Sequence, residues 1–213
     1  MAEKKEPEML VEKTQYLTAG VHIGMKSCTP YMKSFVYKIR DDGLAVFNLQ
    51  KVDERIKTGA KFLSKFNNVM IVSRKDSAAK SITAFAEATD SKVVSGRFSP
   101  GTLTNPSYKD FYEPDAVFVI DPLIDEQVIK EAKKKRVPII AFCDTFNSAK
   151  DVDYVIPVNN NGKKALVLVL WILAREIQKN RGKKFSMTVK DFGDEESSDV
   201  KTTESRHRYN KQI

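Results

Sequence analysis

Apolar positions follow two rhythms along the 213-residue chain. Val52, Ile56, Ala60, Leu63 and Phe66 recur at helical spacing with lysines between them, which predicts an amphipathic helix over 51–66 with a basic outer face. Short, uninterrupted apolar runs make up the second rhythm: Val69 to Ser73, Val93 to Ser95, Ala116 to Ile120, Val137 to Cys143 and Asp153 to Val158 read as strands. Helical stretches separate them at 76–88, at 125–135, and from Gly162 to about Asn180, and Asp76 is placed to cap the first. Strands without polar alternation are covered on both faces, and strands joined through helices are parallel neighbours. The pattern therefore predicts an α/β fold: an open, mostly parallel sheet with helices on both faces, of the flavodoxin-like kind. An early β-hairpin, Phe35 to Ile39 and Leu44 to Leu49 around Arg40-Asp41-Asp42-Gly43, is expected to open that sheet, the Asp-Gly pair supplying positive φ angles.

Ala165 to Ala174, Trp171 included, is apolar all the way round and is expected to be buried on several sides. It is too short to cross a bilayer, which takes roughly 20 apolar residues, so no membrane partner is expected. The first ten residues, MAEKKEPEML, lack the charge-then-hydrophobic order of a secretory signal, and a cytosolic chain is the expectation. Residues 183–213 mix basic, acidic and hydroxyl side chains with little apolar content. The expected organisation is a flexible N-terminal tail over 1–9, one domain over 10–182, and a disordered charged tail over 183–213.

Charge alters this picture through its location. The formal net charge is +8 and the pI about 9.3, values that suggest a polyanionic partner. Between residues 22 and 75 eleven Lys and Arg face four Asp and Glu, so the excess falls in one quarter of the chain and predicts a basic face. Lys133, Lys134, Lys135 and Arg136 suit the negative end of a helix dipole as well as they suit RNA. Cys28 and Cys143 read as buried thiols. With His22 and His207 they fit no zinc template, and neither a metal nor another cofactor is expected.

In open α/β sheets the working groups lie beyond the carboxyl ends of the strands. Here those ends present Ser73-Arg74-Lys75, Gly96-Arg97, Asp121 and Asp144. The long connection from Gly96 to Pro114 carries Arg97, Phe98, Pro100, Thr102, Thr104, Asn105, Tyr108 and Phe111. Arg forks onto phosphate, Thr and Asn bond phosphate or sugar oxygens, and aromatic rings stack on unpaired bases. A rigid loop pinned to the core by its aromatic residues fits the same composition. An enzyme acting on nucleotides or phosphate esters through Asp121 and Asp144 is the rival reading. It lacks a phosphate-cradling GxxxxGK[ST] or GxGxxG loop and a nucleophile beside a usable His, and the two aspartates read as turn and capping residues.

The loop Gly96-Arg97-Phe98-Ser99-Pro100-Gly101-Thr102-Leu103-Thr104-Asn105 resembles the signature loop of the second small-subunit ribosomal protein family. Further similarities lie at Gly20-Val21-His22-Ile23-Gly24, at Tyr37-Lys38 through Phe47-Asn48-Leu49, at Ala141 to Thr145, at Ile156 to Gly162 and at Trp171 to Glu176, in order over residues 10–182. Phe98, Pro100 and the direct passage from Phe66 to Val69, without the inserted helical hairpin of bacterial members, are similar to the archaeal and eukaryotic branch. The missing long C-terminal extension points to an archaeal source. Phe146-Asn147-Ser148 fits neither branch closely. The resemblance implies a structural constituent of the small ribosomal subunit, with ribosomal RNA and neighbouring ribosomal proteins as partners and no catalysis or small-molecule substrate. On that reading Lys26, Lys33, Lys38, Arg40, Arg74 and Lys75 are the expected phosphate partners. Arg97, Thr102, Thr104 and Asn105 orient the loop or touch RNA, and His22 contacts RNA or is a satisfied structural histidine.

Overall fold

Five of the apolar runs pair side by side in a computed structural model of the chain, which describes residues 9–193. In chain order the elements are α1 (Lys13–Thr18), β1 (Val36–Ile39), β2 (Ala45–Phe47), α2 (Leu49–Leu63), β3 (Val69–Ser73), α3 (Ala79–Thr89), β4 (Lys92–Ser95), β5 (Ala116–Val119), α4 (Glu126–Lys135), β6 (Ile139–Cys143), β7 (Tyr154–Pro157) and α5 (Lys163–Asn180). Strands β3 to β7 form one parallel sheet in the order β4-β3-β5-β6-β7. The chain winds outward from β3 to one edge and from β5 to the other. Right-handed crossovers then place α3 and α4 on opposite faces. Helix α5 packs between α2 and α3, and α4 covers β6. Every residue of β3, β5 and β6 is buried, as two-sided cover requires.

Two expectations about local structure need correction. The hairpin does not open the sheet: β1 and β2 pair with each other as a separate two-stranded ribbon, and an isolated bridge from Ile23 to Val46 flanks it. Three of the four β1 residues are exposed, so this strand lacks the two apolar faces that an inner position demands. Its turn places only Gly43 at positive φ (+84°), with the Gly43 N–H donating to the Arg40 carbonyl; Asp42 stays in the ordinary region. Asp76 does not cap α3. It begins a short 3₁₀ turn, Asp76–Ala78, after which α3 starts without a side-chain cap. Helix α2 begins before the lysine-spaced pattern does, because the Asn48 side chain accepts the Gln50 and Lys51 N–H groups at 3.0 and 3.4 Å. Its end at Leu63 leaves only 64–68 before β3, so no helical hairpin is inserted there.

Structure continues beyond the domain end expected at residue 182. A capping box at Thr188 and Asp191 starts a 3₁₀ turn, Val189–Phe192, that lies on α3 and α5 with Val189 and Phe192 buried. Trp171 donates its indole N–H to the Met187 carbonyl at 2.9 Å, and Phe185 meets its ring edge-on. This strap covers the side of α5 that α2, α3 and the sheet leave open, which accounts for a helix apolar all round. Of the tails expected over 1–9 and 183–213, residues 1–8 and 194–213 lie outside the described residues. At the other end the Leu10 N–H and the buried Tyr16 hydroxyl both donate to Asp53 of α2, at 3.0 and 2.8 Å. Cys143 is buried as expected, whereas Cys28 is half-exposed. Among the described residues no helix is long and apolar enough to cross a membrane.

Candidate nucleic-acid interface

Arg74 and Lys75 follow β3 as neighbours in sequence and part company in space. Arg74 is exposed. Lys75 turns inward, its Nζ 2.7 Å from Asp121 Oδ2, with 10% and 2% of the two side chains exposed. The same ammonium donates to the Asn160 carbonyl at 2.9 Å and to Asn161 Oδ1 at 2.8 Å. Asn160 and Asn147 extend the network. Asn160 Nδ2 donates to Asn147 Oδ1 (3.0 Å) and to the Ile120 carbonyl (3.2 Å), while Asn147 Nδ2 donates to Asp121 Oδ1 (3.0 Å). Asn161 Nδ2 then reaches Asp144 Oδ2 at 3.2 Å. Burial pushes the Asp144 carboxyl above its ordinary pKa against the hydrogen bonds it accepts from Thr145 and Asn161 and the Lys75 charge. These side chains fill the carboxyl ends of β5, β6 and β7, where a doubly wound sheet would otherwise receive a ligand. Asp121 and Asp144 are spent on internal polar satisfaction. Asn160 and Asn161 lie in a stretch similar to the family's, but their partnership with Lys75 has no sequence signal, since 85 and 86 residues separate them.

The long connection is equally internal on one side. Phe98 and Leu103 are buried. Glu131 of α4 receives the Gly101 N–H at 2.8 Å, the Leu103 N–H at 3.2 Å and the Thr104 hydroxyl at 3.3 Å, while Gln127 donates from the next turn. The Thr102 hydroxyl donates to the Ser99 carbonyl. Thr102 and Thr104 therefore shape the loop, whereas Arg97 and Asn105 are exposed; Asn105 Oδ1 accepts the Ser107 N–H. Phe111 has the Lys135 ammonium 5.7 Å from its ring centre. At the end of α4 Lys133 and Lys135 pair with Asp151 and Glu113.

The other candidate cations form a separate group. Lys26, Lys33, Lys38 and Arg40 are all exposed on the segment leading to the hairpin and on the hairpin itself, with Arg40 paired to Asp42 at 3.2 Å across two exposed side chains. Such a pair contributes little to stability and yields readily to a phosphate. Lys57, Lys61 and Lys65 are exposed along or just beyond α2. Two cations of the same region serve packing instead: Arg55 lies over the Tyr154 ring at 4.2 Å and donates to the Val155 carbonyl, and Lys51 donates to the Ser34 carbonyl. His22 lines a cavity of about 410 Å³ with Lys13, Leu17, Tyr37 and Lys38. Desolvation lowers its pKa, opposed by the Tyr16 backbone and helped by Arg40, which favours the neutral imidazole.

Asp125, just before α4, accepts the Arg74 N–H at 3.4 Å and is 3% exposed. Burial pushes its carboxyl up to about 6, with Asp121 adding to the rise and Arg74 and Lys75 opposing it. Because the folded value exceeds the unfolded one, the native state holds more protons between about pH 4 and 6 and loses stability as pH rises through that window. Asp125→Asn is therefore expected to be about 2 kcal/mol more stable than the parent at pH 7.5, with the advantage gone near pH 4. Urea denaturation at the two pH values measures it; a variant that stays less stable at both would contradict this account.

The chain is thus a doubly wound α/β domain whose ligand end is largely filled by its own side chains, with exposed cations beside it. The family profile described as Ribosomal protein S2 matches residues 16–111 and 108–180. The chain is 47% identical over 182 residues to the small ribosomal subunit protein uS2 of Ignicoccus hospitalis, covering 84% of this chain and 86% of that one. It is 46% identical over 176 residues to the uS2 of Saccharolobus solfataricus (82% and 76% covered), and 44% identical over 177 residues to that of Staphylothermus marinus (82% and 80%). The chain belongs to the ribosomal protein S2 family, and its likeness to these archaeal members agrees with the branch expected from Phe98, Pro100 and the short passage into β3.

Proposed function

We propose that the protein is a structural constituent of the small ribosomal subunit, without enzymatic activity, that holds small-subunit ribosomal RNA through exposed cations and docks neighbouring ribosomal proteins. Membership of the family carries this reading, and the exposed group Lys26, Lys33, Lys38 and Arg40, together with Arg74 and Arg97, supplies its physical means. These six would neutralise phosphates and release counterions, gripping folded RNA by backbone and shape. Lys75, Thr102 and Thr104 act one step back, by building the loops that carry Arg74 and Arg97.

Filter binding of the full chain to small-subunit RNA tests the reading. Six phosphate contacts imply about a thousandfold loss of affinity between 50 and 200 mM salt. Replacing Lys26, Lys33, Lys38 and Arg40 together by Gln should reduce the log–log salt slope by roughly three to four. A salt-independent affinity, or an unchanged slope in the fourfold variant, would remove the basis for this assignment.

A further inference from the structure

The carboxyl end of the sheet divides into a sealed half and an open half. Over β5, β6 and β7 the Lys75 and Asp121 network occupies the strand ends with the protein's own side chains. At the switch in strand order, where β3 leads outward to β4 and β5 leads the other way, a crevice of about 190 Å³ remains. Its walls come from three strand ends: Arg74 after β3, Arg97, Phe98 and Pro100 after β4, and Ile124 and Asp125 after β5. Both arginines are exposed and neither is in an ion pair among the described residues. Of the lining residues Ile124 is 41% exposed, and Leu123, beside it in the chain, is 67% exposed, so apolar surface lies next to the cations.

We propose that this crevice seats one unpaired nucleotide of the bound RNA, Arg74 and Arg97 forking onto its phosphate while its base lies against Pro100 and Ile124. The inference rests on the RNA-binding reading and narrows it to a site. Two guanidinium groups on different loops match the oxygens of one phosphate. The apolar surface of Pro100 and Ile124 beside them takes the face of a splayed-out base, the unpaired state in which proteins most often read RNA bases. An acidic peptide is the other polyanion on offer; membership of a ribosomal protein family favours the nucleotide. The rigidity of both loops adds to this: Glu131 pins the one carrying Arg97, and Lys75 anchors the one carrying Arg74.

The test uses the full chain with transcribed small-subunit RNA at 150 mM salt. Arg74→Gln with Arg97→Gln should weaken binding about tenfold more than Lys57→Gln with Lys61→Gln, two exposed cations of α2, at unchanged melting temperature. Ultraviolet cross-linking followed by mass spectrometry should join a nucleotide from an unpaired RNA segment to Pro100, Leu123 or Ile124, and Ile124→Asp should abolish that adduct. Equal losses for the two double variants, with RNA still bound tightly, would overturn the site and leave the RNA-binding reading standing. Cross-links in assembled subunits that join these residues to a neighbouring protein's acidic segment would overturn it in favour of a peptide. Failure of the unmodified chain to bind RNA in a salt-dependent way would sink the parent reading and the site with it.

Discussion

Lys75→Met is expected to destabilise the protein by about 3–5 kcal/mol, the largest effect of any single substitution considered. The substitution removes the ammonium from an enclosed site and strands the Asp121 carboxylate, whose Oδ2 has Lys75 as its close cationic partner at 2.7 Å. It also strips a donor from the Asn160 carbonyl and from Asn161 Oδ1. Most of the cost lies in the unpaired charge, so the double variant Lys75→Met with Asp121→Asn should recover more than half of it. Asn keeps an oxygen for the Leu123 N–H and for Asn147 Nδ2, which now meet Asp121 Oδ1 at 3.0 Å each. Urea unfolding of the four proteins in the cycle measures the coupling. Additive single effects, or a Met variant within 1 kcal/mol of the parent, would show that the pair contributes no more than a surface salt bridge. Loss of RNA affinity in the Met variant should track loss of fold, in contrast to the neighbouring Arg74, whose replacement leaves stability alone.

That contrast between adjacent residues marks where sequence reasoning stops. Buried strands announce themselves because Val69 to Ser73 and Ile139 to Cys143 are apolar without alternation, and the spacing of Val52, Ile56 and Ala60 is that of a helix face; local pattern and tertiary role agree there. Arg74 and Lys75 have no such local signature. Which of them turns inward depends on Asp121, 46 residues on, and on Asn160, 85 residues on, positions brought together only by the strand order. The hairpin was visible as a hairpin, yet its separation from the sheet follows from the exposure of Tyr37, Lys38 and Ile39, which alternation over so short a strand does not reveal. Helix α1 has no signature in the sequence, since six residues give less than two turns of periodicity; Tyr16, fully buried against Asp53, fixes it from outside. The strap over 183–193 was hidden by its composition. Its order comes from a few anchors, Phe185, Val189 and Phe192, meeting an apolar face of α5 already exposed by the rest of the fold. Of the candidate site, the cations are legible as residue types, while the division into exposed side chains and loop builders is not.

Glu131→Ala is expected to cost about 3 kcal/mol and to loosen the Gly96–Pro114 connection before it loosens the sheet. The carboxylate is the acceptor for two backbone N–H groups, Gly101 and Leu103, and each loses its partner in the variant; an unsatisfied buried donor costs about 1–3 kcal/mol. Local opening should therefore show first, as roughly a hundredfold faster amide exchange at Leu103 with little change in β5 or β6. The protonation behaviour of Glu131 provides an independent check. Burial by itself would raise its pKa, but the bonds from Gly101, Gln127, Leu103 and Thr104 outweigh burial and hold it below the ordinary value. A lowered native pKa means stability that is present above the unfolded pKa, about 4.3, and is lost as pH falls through the lower native value. The difference between the parent and Glu131→Gln, which keeps the size but turns an amide NH₂ toward these donors, should accordingly be largest at neutral pH and shrink below pH 4. Because Gly101 sits four residues from Arg97, the Ala variant should also bind small-subunit RNA more weakly, and restoring Glu at this position should restore both exchange protection and affinity. Unchanged protection at Leu103 would mean that Phe98 and Leu103 hold the loop by burial alone, and the account of how the fold positions Arg97 would have to be redrawn around those two side chains.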